Sequence, residues 1–346
     1  MIELLSPANN ASISTLTDVQ KDFIRNRSFE KLRANDEELV DWLGLKQNME
    51  GENSHPLPVE FKWTSDDKSR VNFVLQIATD RSFEHLVRQM LVRKQEISVF
   101  NLENGQQYYW RVFIEDTPHD DAEIRSFCTA MDTPRWIFID GCTNVRDCGC
   151  WMTSSGRRIK QGLLYRGSEF NRHHAITPAG RYALVHDLHL KTDIDIRGVT
   201  EIHPGFVPPL DENGIQWINI TVEPYGEIDK PEWRKQYREY FTFLSNPDIY
   251  PAYCHCWGGA DRTGTTSFLL GAILGMSDED LILDYELTSC AIYGARKRNF
   301  KLFNDMLNVL DRYQGGSFAE KGTAYLRDIG VTEMTLDAIR DIFLQS

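Results

Sequence analysis

No apolar run in the 346-residue chain approaches the roughly 20 residues needed to span a bilayer, so no membrane helix is expected. A basic surplus is also missing. The 38 Lys and Arg against 51 Asp and Glu leave a net charge of −13, which argues against a nucleic-acid or anionic-membrane footprint. That field repels phosphate too, so any attraction for an anion must be local. Low-complexity tracts are absent, and a hydrophobic share of 41% is enough for globular cores in about two domains. There is no Gly-x-x-x-x-Gly-Lys-Ser/Thr, which excludes the NTPase phosphate loop. The opening Met1–Pro7 has no basic start and no long apolar core. The chain as given is therefore expected in the cytoplasm; with a leader already removed it would be an exported protein. The cysteines do not pair off evenly: there are seven, at 128, 142, 148, 150, 254, 256 and 290. The pairs Cys148-Gly149-Cys150 and Cys254-His255-Cys256 are spaced more closely than zinc ligands prefer, so no metal and no cofactor is expected.

What is present is His255-Cys256-Trp257-Gly258-Gly259-Ala260-Asp261-Arg262-Thr263-Gly264. Five residues between a cysteine and an arginine can wrap into a cradle whose backbone N–H groups point at one tetrahedral anion. The apolar run Ile249–Cys254 before it reads as a buried strand, and Thr263–Leu274 behind it as a helix closed by Gly275. The cradle then sits at a helix N-terminus, where the macrodipole favours negative charge. A cysteine there loses its proton more readily than at its ordinary value of about 8.5. Cys256 is thus the expected nucleophile. Arg262 holds two phosphoryl oxygens with its planar fork. Trp257, Gly258, Gly259, Ala260 and Asp261 supply the amides, Thr263 donates to the sulfur, and His255 fixes the loop. A structural cysteine beside a chance arginine is the plainer alternative; strand, glycines, Thr-Gly and helix all agree against it. The thiolate requires reducing conditions. The clustering also suggests a reversible disulfide from Cys256 to Cys148 or Cys150.

With these residues the sequence resembles the protein tyrosine phosphatase superfamily, His-Cys-x5-Arg-Ser/Thr. Asn144-Val145-Arg146-Asp147-Cys148-Gly149 and Leu164-Tyr165-Arg166-Gly167-Ser168 resemble the opening and Leu-Tyr-Arg-Ser segments of its bacterial tyrosine/lipid phosphatase branch. Asp195-Ile196-Arg197 with Glu201, and Asp284-Tyr285-Glu286-Leu287-Thr288, match further motifs of that branch. The resemblance covers about residues 135–346. It departs in three places: Ala260 replaces a frequent lysine, Cys150 replaces a glycine, and Gly167 splits Arg-Ser. Losing the lysine weakens the case for a polyanionic inositide substrate. The resemblance implies that Asn144, Arg146 and Asp147 brace the cradle. It makes Asp261 the first candidate for general acid, with a loop-shaping carboxylate as its other role. No Trp-Pro-Asp is present. Glu223, Glu227 and Asp229 are the alternative acids, on a loop spaced before the cradle as a mobile acid loop is in the superfamily. Asp195 and Arg197 read as a buried ion pair with Glu201. Arg157, Arg158, Lys160, Arg166 and Arg172 could rim the site; Arg296-Lys297-Arg298 could meet substrate, with a solvated face as the plainer reading.

Before the linker Asp132-Thr133-Pro134 the pattern changes. Phe61–Trp63, Val71–Ala78, Ile97–Phe100, Tyr108–Ile114 and Ile124–Thr129 are short and rich in β-branched and aromatic residues, with Asn104-Gly105 as a turn. Residues 1–133 resemble a fibronectin type III-like β-sandwich, carrying a helical segment at 15–44 and a face that could bind protein or carbohydrate. Residues 134–346 alternate strands and helices, which predicts an α/β domain with a mixed, mostly parallel sheet flanked by helices. The expected function is a cysteine-dependent phosphomonoesterase acting through a phosphocysteine. Phosphotyrosine is the first substrate, on a protein or a small molecule. A phosphoinositide or dual-specificity phosphatase, or a binding module that captures phosphorylated partners without turnover, are the alternatives.

Overall fold

A computed structural model describes residues 2–26, 52–66, 72–118, 121–202, 205–292 and 296–345. Most of the expected helical segment 15–44 lies outside them. The chain forms two compact units, and each is discontinuous in sequence. The first contains residues 1–16 and 56–133, the second residues 17–55 and 134–346. Residues 17–55, which the sequence assigns to the first domain, therefore belong with the second.

In the first unit, β1 (Ile2–Ser6), β3 (Val59–Ser65) and β6 (Glu96–Val99) form one antiparallel sheet in the order β1-β3-β6. A second sheet has β2 (Ala11–Ile13), β4 (Phe73–Ala78), β5 (Leu86–Val92), β7 (Gln107–Ile114) and β8 (Arg125–Thr129) in the order β2-β8-β7-β4-β5. Alternation puts Val59, Phe61 and Trp63 inside and Glu60, Lys62 and Thr64 outside. Those three pack with Leu75, Ile77, Tyr108, Trp110 and Phe127 from the other sheet into one core. The aromatics are thus structural. Strands β1, β2 and β5 carry too few aromatic and β-branched residues in a row to stand out in sequence.

In the second unit, β9 (Arg146–Asp147), β10 (Leu164–Gly167), β11 (Thr192–Asp195), β12 (Gln216–Asn219) and β13 (Ala252–His255) form a sheet ordered β12-β11-β13-β10-β9. Every pair is parallel except β10 with β9. β13 starts three residues later than the apolar run suggests, after Pro251, which has no N–H for a ladder. The described helices are α1 (Asp18–Asn26), α2 (Pro178–Tyr182), α3 (Pro231–Leu244), α4 (Arg262–Leu274), α5 (Asp278–Glu286), α6 (Lys301–Leu310), α7 (Phe318–Asp328) and α8 (Glu333–Phe343). α4 is apolar around its circumference because neighbours cover nearly all of it. Gly275, left-handed at φ 80°, ends it, and Ser277 caps α5 by accepting from Asp280 N (3.1 Å). The central strand β13 and the N-terminus of α4 bound the loop 256–261. It lies at the carboxyl edge of the sheet, where α/β folds place ligands.

Candidate active site

The loop after β13 has its carbonyl oxygens engaged on the outside. The O of Trp257 accepts from Glu169 N (3.0 Å), that of Gly258 from Asn144 Nδ2 (3.1 Å) and that of Gly259 from Arg166 Nη2 (2.9 Å). Ala260 O accepts from Gly264 N (3.0 Å) and Asp261 O from Thr265 N (2.8 Å). His255 Nδ1 stands 3.0 Å from Cys256 O. Among the described residues, the N–H groups of Gly258, Gly259 and Ala260 make no hydrogen bond. They remain for an anion. Cys256, only 3% exposed, lies at the base of this cradle.

Glycine is required at two contacts here. Gly259 has φ 65°, and a Cβ on it would lie 2.4 Å from the carbonyl carbon and oxygen of Gly167. A Cβ on Gly167 would lie 2.1 Å from Tyr253 Oη. The glycine that splits the Arg-Ser motif is therefore what lets β10 approach the loop.

A buried charged layer supports the carbonyl donors. Arg166 donates to Asp284, and Arg146 Nε also reaches Asp284 (3.3 Å). Arg146 further donates to Asn144 Oδ1 and lies 5.0 Å over the Trp136 ring. Burial raises the Asp284 carboxyl, but Arg166 and Arg146 override it and hold the group below its ordinary range. Asn144 and Arg146 thus brace the cradle, together with Arg166 and Asp284, whose roles sequence did not reveal. Asp147 points elsewhere. It pairs with Arg135 (2.8 Å) and accepts from Gly149 N and Gly162 N (both 2.7 Å), and burial raises it against Arg135. His255 Nε2 stands 3.0 Å from Asp193 Oδ1. Burial opposes the imidazolium, but Asp193, then Asp195, push His255 up to about 9.

Arg262 is held by both oxygens of Glu201, with Nη2 to Oε1 at 2.9 Å. Glu201 takes two of the five donors of Arg262. Glu201 is held below its ordinary range by Arg262 despite burial. This corrects the pairing expected from sequence: Arg197 pairs with Asp195 (2.6 Å) and Glu169 (2.6 Å), not with Glu201. Thr263 Oγ1 is buried without a hydrogen-bond partner, so its expected bond to sulfur is not formed in this conformation. The ring of Trp257 meets His173 edge-on at 4.5 Å on the rim.

Asp261 accepts from Tyr225 Oη, from Arg296 Nε (3.0 Å) and from Arg296 Nη2 (3.2 Å). Burial raises its carboxyl, but Arg296 and Tyr225 hold it below the ordinary range. Arg296 is therefore buried against the site rather than solvated. Arg298 does not meet Asp261; it pairs with Glu286 (3.1 Å). Tyr225 has φ 60° and its N–H donates to Thr265 Oγ1 (3.1 Å), which ties the turn Tyr225–Asp229 to α4. Of the three alternative acids, Glu227 pairs with Lys230 (2.6 Å) and Asp229 with Arg312 (2.8 Å). Glu223 is half-buried. Burial raises its carboxyl, against the charge of Arg262.

The expected basic rim is largely used elsewhere. Arg157 and Lys160 donate to Gln345 O (2.9 Å) and Ile342 O (2.9 Å), Arg158 to Cys150 O (3.0 Å), and Arg166 lies beneath the loop. Arg172 reaches Glu201 O (3.2 Å). None of the seven cysteines is in a disulfide. Burial raises the Cys148 thiol and pushes Cys254 up to about 12.

The sequence profile of the tyrosine phosphatase family matches residues 137–345. A Cupriavidus necator protein named as a candidate tyrosine-protein phosphatase is 26% identical over 176 residues, covering 43% of this chain and 61% of its own. The chain thus spans about three-fifths of that relative's length. Among solved structures, the core catalytic domain of the S. cerevisiae PP-IP phosphatase SIW14 with citrate aligns at TM-score 0.32 and 18% identity, over 44% of this chain and 82% of that one. A second structure of the Siw14 catalytic core aligns at TM-score 0.32 and 16% identity, over 50% and 92%. The profile covers more than half of the chain and the whole Cys256–Arg262 cradle, and the chain belongs to the tyrosine phosphatase family.

Proposed function

We propose that the chain is a cysteine-dependent phosphomonoesterase with phosphotyrosine as its first substrate. The observation that carries this reading is the cradle: outward carbonyls, three unbonded amides, a buried Cys256 and an Arg262 aimed by Glu201. Cys256 attacks phosphorus as a thiolate, and the bond from phosphorus to the leaving oxygen breaks. Arg262 and the loop amides stabilise the equatorial oxygens. The leaving oxygen takes a proton from Glu223. Water then attacks the phosphocysteine, Glu223 takes back a proton, and the phosphorus–sulfur bond breaks to return the thiolate. Glu223 is preferred to Asp261 because Asp261 already accepts three hydrogen bonds and is held ionised, with no proton to give. Asp261 instead fastens Tyr225 and with it the acid loop. The aromatic rim at Trp257 and His173 suits a phenyl phosphate, and Ala260 adds no cation for a polyanionic headgroup.

The first unit fits a fibronectin type III-like sandwich by its strand orders, three strands against four with β2 added alongside β8. The deciding experiment is phosphate release with EDTA present, from phosphotyrosine, phosphoserine and phosphothreonine peptides and a phosphoinositide panel. Wild type runs beside Cys256→Ser. Release from phosphotyrosine that Cys256→Ser abolishes is the expected result. Preference for a phosphoinositide moves the substrate class. No release, with phosphopeptide binding intact, replaces the enzyme with a capture module.

A further inference from the structure

We propose that residues 52–55, a short strap outside the matched family region, are a positioning element of the catalytic cradle and act through Asn144. This rests on the reading of residues 256–262 as a phosphate cradle.

Asn144 is wholly buried and left-handed, with φ 59°, a conformation that costs a non-glycine residue energy. Its side chain holds the Gly258 carbonyl (3.1 Å) and so helps turn that peptide's neighbours inward. Its own N–H is buried and needs a partner. Ser54 Oγ, also wholly buried, accepts it at 2.8 Å. The direction of that bond is fixed. A serine has one hydroxyl proton, and that of Ser54 goes to Glu52 Oε1. The other oxygen of Glu52 accepts from Thr143 Oγ1, so one carboxylate fastens both the strap and the residue before Asn144.

The strap is tied on either side. His55 Nε2 stands 3.1 Å from Cys142 O, and Asn53 N donates to Cys290 O (2.7 Å). Cys290 ends the 3-10 turn Leu287–Cys290, whose Thr288 Oγ1 accepts from the Asn144 amide at 3.5 Å. From α1, the buried Gln20 donates to Asn53 O (2.8 Å) and His55 O (3.0 Å). The strap therefore joins the two segments that contact Asn144, 90 residues away along the chain.

The test uses the full chain with inorganic phosphate as probe, titrated calorimetrically, beside turnover of an aryl phosphate. Ser54→Ala is expected to weaken phosphate affinity and lower kcat/KM together by about tenfold, the loss of one buried hydrogen bond. In an Asn144→Ala background the same change is expected to have little further effect, because the path is already cut. Phosphate affinity equal to wild type beside a lowered Tm overturns the proposal, as do losses that simply add in the double variant. If Ser54→Ala does not fold, Glu52→Gln takes its place in the same cycle. A smaller loss in the same direction then supports the strap, and none overturns it. Wild type that binds phosphate but releases none from any substrate removes the enzyme reading and leaves the strap to be judged on affinity. Wild type that binds no phosphate overturns both.

Discussion

Two carboxylates that feel the charge of Arg262 have been driven in opposite directions by their surroundings. Arg296 and Tyr225 lower Asp261, while burial raises Glu223. A general acid is useful only while protonated, so a raised carboxyl extends activity toward higher pH, and the rate falls as pH climbs through its value. Glu223→Gln is expected to slow poor leaving groups by about a hundredfold or more and good ones little. It should also erase the high-pH fall in kcat for the poor ones. Asp261→Asn is expected to slow both kinds alike, because it loosens the Tyr225 anchor rather than removing a proton. Rates against leaving-group pKa for the two variants check this, and a steep dependence arising only in Asp261→Asn would return the acid role to that residue.

At the level of elements, the strand–loop–helix unit could be read from sequence because its signals are adjacent: an apolar run, paired glycines and a helix closed by Gly275. Partners far apart in sequence could not. Glu201 meets Arg262 across 61 residues and Ser54 meets Asn144 across 90, with no periodicity to announce either. The motif around Asp284 was recognisable, but its place between Arg146 and Arg166 needed the fold. The arginines at 157 and 158 looked like an anion rim because charge alone does not tell which backbone oxygens are near. Glycine contacts are just as hidden. Gly259→Ala meets both a left-handed φ and the Gly167 carbonyl, and is expected to cost about a hundredfold in kcat/KM through a misplaced loop. Gly156→Ala, also at a left-handed φ (81°) but with no atom within 4 Å of a Cβ, is expected to keep wild-type turnover. Equal losses in the two would assign the effect to backbone strain.

Considered as a whole, the chain builds neither unit from one continuous stretch. Removing residues 1–133, the cut that composition suggests, also removes α1 and the strap. Such a truncation is expected to lose about tenfold or more in phosphate affinity. Residues 17–55 joined by a flexible linker to 134–346 are expected to keep it, and equal affinity in the two would show the strap to be dispensable. The interleaving also orders events at the ribosome. β1 and β2 emerge first, but β2 has no sheet partner until β8 is made more than a hundred residues later. The strap follows them out and waits for Asn144, and Asn144 in turn for Gly258. Chain growth thus delivers the nucleophile before its support is complete: Cys256 emerges ahead of Asp284, which holds Arg146 and Arg166, so a nascent chain stalled between them carries the thiol without the full bracing.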